Sequence, residues 1–136
     1  MKLYLLLAIC LVYTSAYSQN IRNSSNSTIA YIEADGTIRN SSRSMFGRIR
    51  SGRITNSSNQ TIGYLDNSGK IKNASNSTIG YFSNGKVRNA SNSTIGYVKD
   101  GKVRNSSNQL IGYYDPKKSK PEHVAVFFFF YFGKKP

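Results

Sequence analysis

A unit of sixteen or seventeen residues is copied six times along this chain, and that repetition limits the fold more than any other feature. The copies begin at Ile21, Ile38, Ile54, Ile71, Val87 and Val103 and follow the pattern G-K-I/V-R-N-S-S-N-x-T-I-G-Y-φ-x-x-G, with φ apolar or aromatic. A segment this short cannot enclose a core of its own, so neighbouring copies have to share one. This decides between order and disorder. Hydrophobic residues make up only 38% of the chain, a level that ordinarily leaves too little apolar surface to offset chain entropy. A strict period lets the copies pool their small contributions.

Each copy contains two short strand candidates, K-V-R-N and T-I-G-Y-φ, rich in β-branched and aromatic residues. Between them, N-S-S-N reads as a polar turn whose Asn and Ser side chains bond the local backbone. The second breaker places Gly after Asp, Asn or Ser, at Asp35-Gly36, Ser51-Gly52, Ser68-Gly69, Asn84-Gly85 and Asp100-Gly101. Such pairs accept the positive φ of tight hairpin turns. No stretch of the repeat has the 3.6-residue period of a helix. The Gly turns predict five hairpins, over about 29–40, 46–56, 62–73, 79–89 and 95–105. A half-unit is left at each end, Ile21–Asn23 and Leu110–Tyr114. Pairing of these two would close the array and remove its exposed sheet edges. An open β-solenoid is the rival, but alternating tight turns favour hairpins. The expected fold is therefore all-β, with tandem hairpins arranged radially as a ring. A small residue precedes the Tyr position in every copy (Ala30, Gly47, Gly63, Gly80, Gly96, Gly112), which suggests close backbone approach or a bend near an axis.

The two ends differ from the middle. Residues 1–18 carry Lys2, an apolar run from Leu3 to Val12, and small residues at Ser15, Ala16 and Ser18. That order marks a cleavable secretory signal, and the run is short of the ~20 residues a spanning helix needs. Cys10 is the single cysteine and lies inside this stretch, so residues 19–136 have no disulfide chemistry. A lipoprotein signal at Cys10 fits poorly, because Ile9 stands where a small residue is wanted. After the repeats (19–115) comes a basic linker, 116–122, and then an apolar segment, 123–136, in which Val124 to Phe132 are all apolar. Exposed, that run would be an aggregation hazard. It is expected to pack on or in the ring; Pro121 and Glu122 suit the first turn of a helix, whereas its β-branched and aromatic residues argue for a strand. Docking on a membrane surface is the alternative.

The net charge is +13, which keeps an exported protein in solution and also attracts polyanions. One basic position follows the apolar residue of the first strand: Arg22, Arg39, Lys72, Arg88 and Arg104, with Thr55 as the gap. Another precedes it: Arg53, Lys70, Lys86 and Lys102. Strand alternation puts both opposite the Ile or Val side, forming a basic face suited to anionic polysaccharide or lipid head groups. Tyr31, Tyr64, Tyr81, Tyr97 and Tyr113 stand two residues after Ile or its equivalent, and are expected to share its core face, with a ligand platform as the alternative.

Enzymatic readings find little support. His123 is the only histidine and has no evident partner. The six acidic residues form no recurring acid/base pair, and no His/Cys/Asp cluster has metal spacing. The expectation is a non-enzymatic protein with no cofactor, either periplasmic, outer-membrane-associated or extracellular. Export disfavours nucleic acid as partner. An ice- or surface-binding Ser/Thr/Asn array is the alternative function, weakened by Met45 and Leu110 at the Thr position. A secreted hydrolase would need a pair of groups that the sequence does not display. The many N-x-S/T triplets are explained by turn propensity alone.

The combination of an apparent export signal, tandem V-R-N-x-x-x-x-T-I-G-Y-x-x-x-G units and the terminal HVAVFFFFYF resembles the five-fold β-flower proteins, small bacterial proteins common in Bacteroidetes. The likeness covers essentially all of the chain after the signal. It implies five β petals about a central axis, a pseudo-five-fold ring, and it implies no activity. The second copy departs from the pattern, with Met45-Phe46-Gly47-Arg48 where others have Thr-Ile-Gly-Tyr.

Overall fold

The structure, a computed structural model, describes residues 19–130; the expected export signal, 1–18, lies outside them. Each copy forms two strands. In chain order they are β1 (Gln19–Asn23), β2 (Thr28–Ile32), β3 (Thr37–Asn40), β4 (Met45–Arg50), β5 (Arg53–Asn56), β6 (Thr61–Leu65), β7 (Lys70–Asn73), β8 (Thr78–Ser83), β9 (Lys86–Asn89), β10 (Thr94–Lys99), β11 (Lys102–Asn105) and β12 (Leu110–Tyr113). Among the described residues one helix, α1 (Pro121–Phe130), follows. Every strand pairs antiparallel with its sequence neighbours, and β1 pairs with β12 through Arg22–Tyr113 and Asn23–Gly112. The two half-units thus close the described strands into a barrel in which each strand has a neighbour on both sides.

The Gly turns form the five expected hairpins, and the sixth strand pair is β12 with β1, held without a connecting turn. N-S-S-N proves to be an equally tight reversal, so the chain runs up and down throughout. In the first copy Asn26 N–H donates to the Asn23 carbonyl at 3.0 Å, and Ser27 N–H donates to Asn23 Oδ1 at 3.0 Å. The second Asn sits at positive φ (66° at Asn26, 60° at Asn59), a conformation Asn tolerates better than most residues. The unit length reports the other turn. Copies of seventeen residues carry Glu33–Thr37 or Asp66–Lys70, closed by backbone bonds of 2.8 and 3.0 Å. Copies of sixteen carry two-residue turns such as Asn84-Gly85, with φ of 49° and 75°.

Just before the small residue, each T-I-G-Y strand has a one-residue bulge. In β6, Thr61 opposes Thr55 and Gly63 opposes Ile54, leaving Ile62 without a cross-strand partner. The same register shift recurs in β2, β4, β8, β10 and β12. It overturns the expectation that Ile and Tyr share the core face. Ile29, Ile62, Ile79, Ile95 and Ile111 pack against the core. The tyrosines two residues later lie across from outward cations and are half-exposed. A bulge reverses the side on which later residues of its strand point.

The interior consists of two rings of side chains around a helix. Ile21, Ile38, Ile54, Ile71, Val87 and Val103 are fully buried, one per copy, and Ile32, Ile49, Leu65, Val98 and Tyr114 supply most of a second ring. Helix α1 fills the lumen with buried Val124, Ala125, Val126 and Phe127. An element apolar on all sides needs an environment apolar on all sides, and the barrel interior is one. Pro121 and Glu122 open the helix as expected. Successive helical residues are turned by about 100°, so Phe128, Phe129 and Phe130 fan out to three different hairpins, at Gly96, Gly80 and Gly63. Close approach explains these glycines. A Cβ on Gly80 would meet the Phe129 ring and lie 2.5 Å from the Arg88 carbonyl oxygen.

Candidate functional site

The outer wall of the barrel carries the residues that the sequence pattern singles out. At least one cation adjoins the buried Ile or Val of each odd-numbered strand and therefore points outward. Arg53, Lys86 and Lys102 are exposed, while Arg22, Arg39, Lys70, Lys72, Arg88 and Arg104 are half-exposed. All nine share the wall. The tyrosines lie between them. Tyr113 is opposite Arg22 on one side and Lys102 on the other. Tyr97 is opposite Arg104 and Lys86, Tyr81 opposite Arg88 and Lys70, and Tyr64 opposite Lys72 and Arg53. The result is a circumferential band in which an aromatic ring alternates with basic side chains, strand by strand.

The band is uneven. Tyr31 has Arg39 on one side and Asn20 on the other. Its ring is covered by the Arg43 guanidinium, 3.9 Å from the centroid. Arg39 Nε is held 2.7 Å from Glu33 Oε1. In the second copy Arg48 occupies the Tyr position and Thr37 and Thr55 occupy the cation positions beside it, so the pattern is inverted there. On the opposite arc the wall is hollowed. One groove of about 450 Å3 is bordered by Lys86, Tyr97, Lys102 and Arg104, and one of about 460 Å3 by Tyr81, Arg88, Ser83 and Asn92. Arg22 lies over the Tyr113 ring at 5.8 Å.

A further cavity, of about 510 Å3, opens at the Gly-turn rim where α1 enters, lined in part by Ser51, Asp66, Ser68, Lys120, Glu122 and His123. Burial holds the His123 imidazole below its usual value, with Glu122 acting against the shift and Lys120 with it. Asp66 is occupied by its turn. Its Oδ1 accepts from Ser68 Oγ at 2.6 Å and from the amides of Ser68 and Lys70 at 2.9 and 3.0 Å, and these bonds lower its pKa. Among the described residues, no three His, Cys, Asp or Glu side chains are grouped to hold a metal ion.

The tyrosines are the part of the wall that sequence reasoning missed. Simple alternation from Ile put them inside, and the bulge that moves them outside is a property of the pairing register. Strands of four to six residues with cations on the outer side do not present the tall apolar band of a membrane barrel. No described helix is long and apolar enough to cross a membrane.

Taken together, the fold and the wall define a class: closed all-β repeat barrels plugged by their own C-terminal helix. A family described as 5-fold beta-flower protein matches residues 18–132, and the chain belongs to that family. Searches of curated proteins and of solved structures return no match.

Proposed function

We propose that this chain is a non-enzymatic binding module, exported to the bacterial envelope or exterior, whose basic barrel wall engages anionic glycan or lipid head groups. The observation that carries the reading is the placement of all nine repeat cations on one wall, in a chain of net charge +13. Repetition multiplies the charge, and a convex array of cations raises the local concentration of any polyanion. The non-enzymatic part rests on the carboxylates. Asp35 and Asp66 accept backbone amide bonds within their turns, and Glu33 is spent on Arg39. The Ser and Asn residues of the rival surface-binding reading lie largely in reversals at the rim, with the second Asn (Arg43 in the second copy) at positive φ, and so do not form a flat ladder.

The test is a glycan and lipid binding array probed with the purified protein at low and high salt. Binding to anionic members should appear at low ionic strength and fall sharply at high ionic strength, where the screening length is about 3 Å at 1 M. Uniform silence at both would remove the reading.

A further inference from the structure

We infer that the ligand of this wall is an acidic polysaccharide, bound along the arc from Tyr64 to Tyr113, with sugar rings against the tyrosine faces and acid groups on the flanking lysines and arginines. The inference rests on the wall being an anion-binding surface, and it names both the ligand class and the sector.

Spacing is the first argument. Tyr64, Tyr81, Tyr97 and Tyr113 stand on β6, β8, β10 and β12, with one basic strand between each pair. Neighbouring strands are about 4.7–4.9 Å apart, so the rings recur about every 9.5 Å along the wall. That step is comparable to a disaccharide in an extended chain. A linear polymer carrying an acid on each sugar would meet a ring and then a pair of cations at every such step. The two hollows in the wall belong to adjacent copies on this arc, one beside Tyr81 with Arg88 and one beside Tyr97 with Lys86, Lys102 and Arg104, which outnumber the Asp100 that also borders it. A concave site that combines one aromatic face with convergent charges suits a ring-shaped, charged, largely rigid sugar.

The remaining wall is unsuited for reasons of contact. The Tyr31 face is taken by Arg43 at 3.9 Å, against 5.8 Å for Arg22 over the Tyr113 ring, Arg39 is paired with Glu33, and Arg50 lies 3.8 Å from Asp35. Arg48 replaces the ring altogether in the second copy. Curvature decides between polymer and membrane. The arc bends around a barrel, so a flat lipid surface can touch only a sector of it at a time, whereas a flexible chain can follow it. A phosphate head group would also leave the tyrosine faces without a role.

The experiment titrates the full protein with polygalacturonate, with its methyl-esterified neutral form, with inorganic phosphate and with vesicles of an anionic phospholipid. The chain has no tryptophan, so intrinsic emission reports its tyrosines. Polygalacturonate should change that emission, and phosphate should not. The double variant Tyr81→Ala/Tyr97→Ala should weaken polygalacturonate binding about tenfold or more, as loss of two aromatic contacts would. Its salt dependence should stay as it was. Lys86→Gln/Arg88→Gln should flatten the salt dependence, and Tyr31→Ala should change neither. The native protein's emission keeps the test decisive if a variant fails to fold. Polygalacturonate bound with no change in emission, equal effects of Tyr31→Ala and the double tyrosine variant, or preference for vesicles would overturn this inference and leave the cationic wall standing. Failure of every anion to bind would overturn both.

Discussion

Replacing Gly80 by alanine tests the packing between strand and plug most directly. The added Cβ would stand 2.5 Å from the Arg88 carbonyl oxygen of the neighbouring strand and against the Phe129 ring of α1. The carbonyl is fixed in the sheet and does not yield, and the half-exposed Phe129 ring can make room only by lifting off the strand. Overpacking of this kind costs about 1–3 kcal/mol. Phe129→Ala alone should cost about 3–5 kcal/mol, reduced to the extent that its half-exposed ring leaves less of a void. In the double variant the ring no longer opposes the methyl group and only the carbonyl contact remains. The two changes should therefore be less than additive, with a coupling of about 0.5–3 kcal/mol. Gly112→Ala supplies the control. Its Cβ would meet the Arg22 carbonyl at 2.5 Å but no Phe of the helix, so Phe129→Ala should not relieve it. Urea unfolding of the six proteins, followed by far-ultraviolet circular dichroism, measures the cycle. Strict additivity at Gly80, or equal coupling at Gly112, would show that the helix is not seated against the strand glycines.

Three other outcomes follow from the same geometry. Asn59, at φ 60°, should lose about 1–2 kcal/mol on substitution by alanine and little on substitution by glycine, because only the former resists the left-handed conformation; urea midpoints that rank the other way would discount the turn assignment. Because folding depresses the His123 pKa from 6.5, the unfolded chain binds the proton first. Stability from this group is thus complete above pH 6.5 and declines as pH falls below it, while Asp35 and Asp66, lowered from 3.8, begin to lose theirs only in stronger acid. Urea midpoints from pH 8 to 5 should show the decline in the native protein and a flatter profile in His123→Gln. Deleting residues 121–136 empties the lumen of Val124, Val126 and Phe127. Cooperative unfolding should then disappear and an apolar dye should bind, and a truncated chain that still unfolds cooperatively would contradict a plugged core.

How much of this was legible in the sequence depended on the range of the interaction concerned. The Gly hairpins lie within about a residue of where turn chemistry puts them, because positive φ at Asn-Gly or Asp-Gly is a local preference. The inward Ile and Val and the outward cations follow from simple alternation around one residue. The tyrosines needed two turns to be considered at once. The reversal at Asn89–Ser93 pairs Arg88 with Thr94, so an unbroken ladder would set Gly96 opposite Lys86. The reversal at Asp100-Gly101 pairs Val98 with Val103, which brings Val98, and with it Gly96, inward. These demands differ by one residue, and the bulge at Ile95 is where the difference is taken up. That conflict was present in the spacing, but only pairing on both sides of the strand exposes it.

The amino-acid order alone determined that this protein reverses direction at fixed intervals, that one side of its odd-numbered strands is greasy and the other basic, and that its last segment has to be hidden from water. Those outcomes come from dihedral preferences and hydrophobicity acting over a few residues. Tertiary structure decided that the ends meet at Arg22 and Tyr113, that the helix enters the barrel rather than covering it, and that the tyrosines face out among the cations. Closure and plugging join residues far apart in the chain, and the outward tyrosines depend on a register that two neighbouring strands impose together, so none of the three is a property of any single copy.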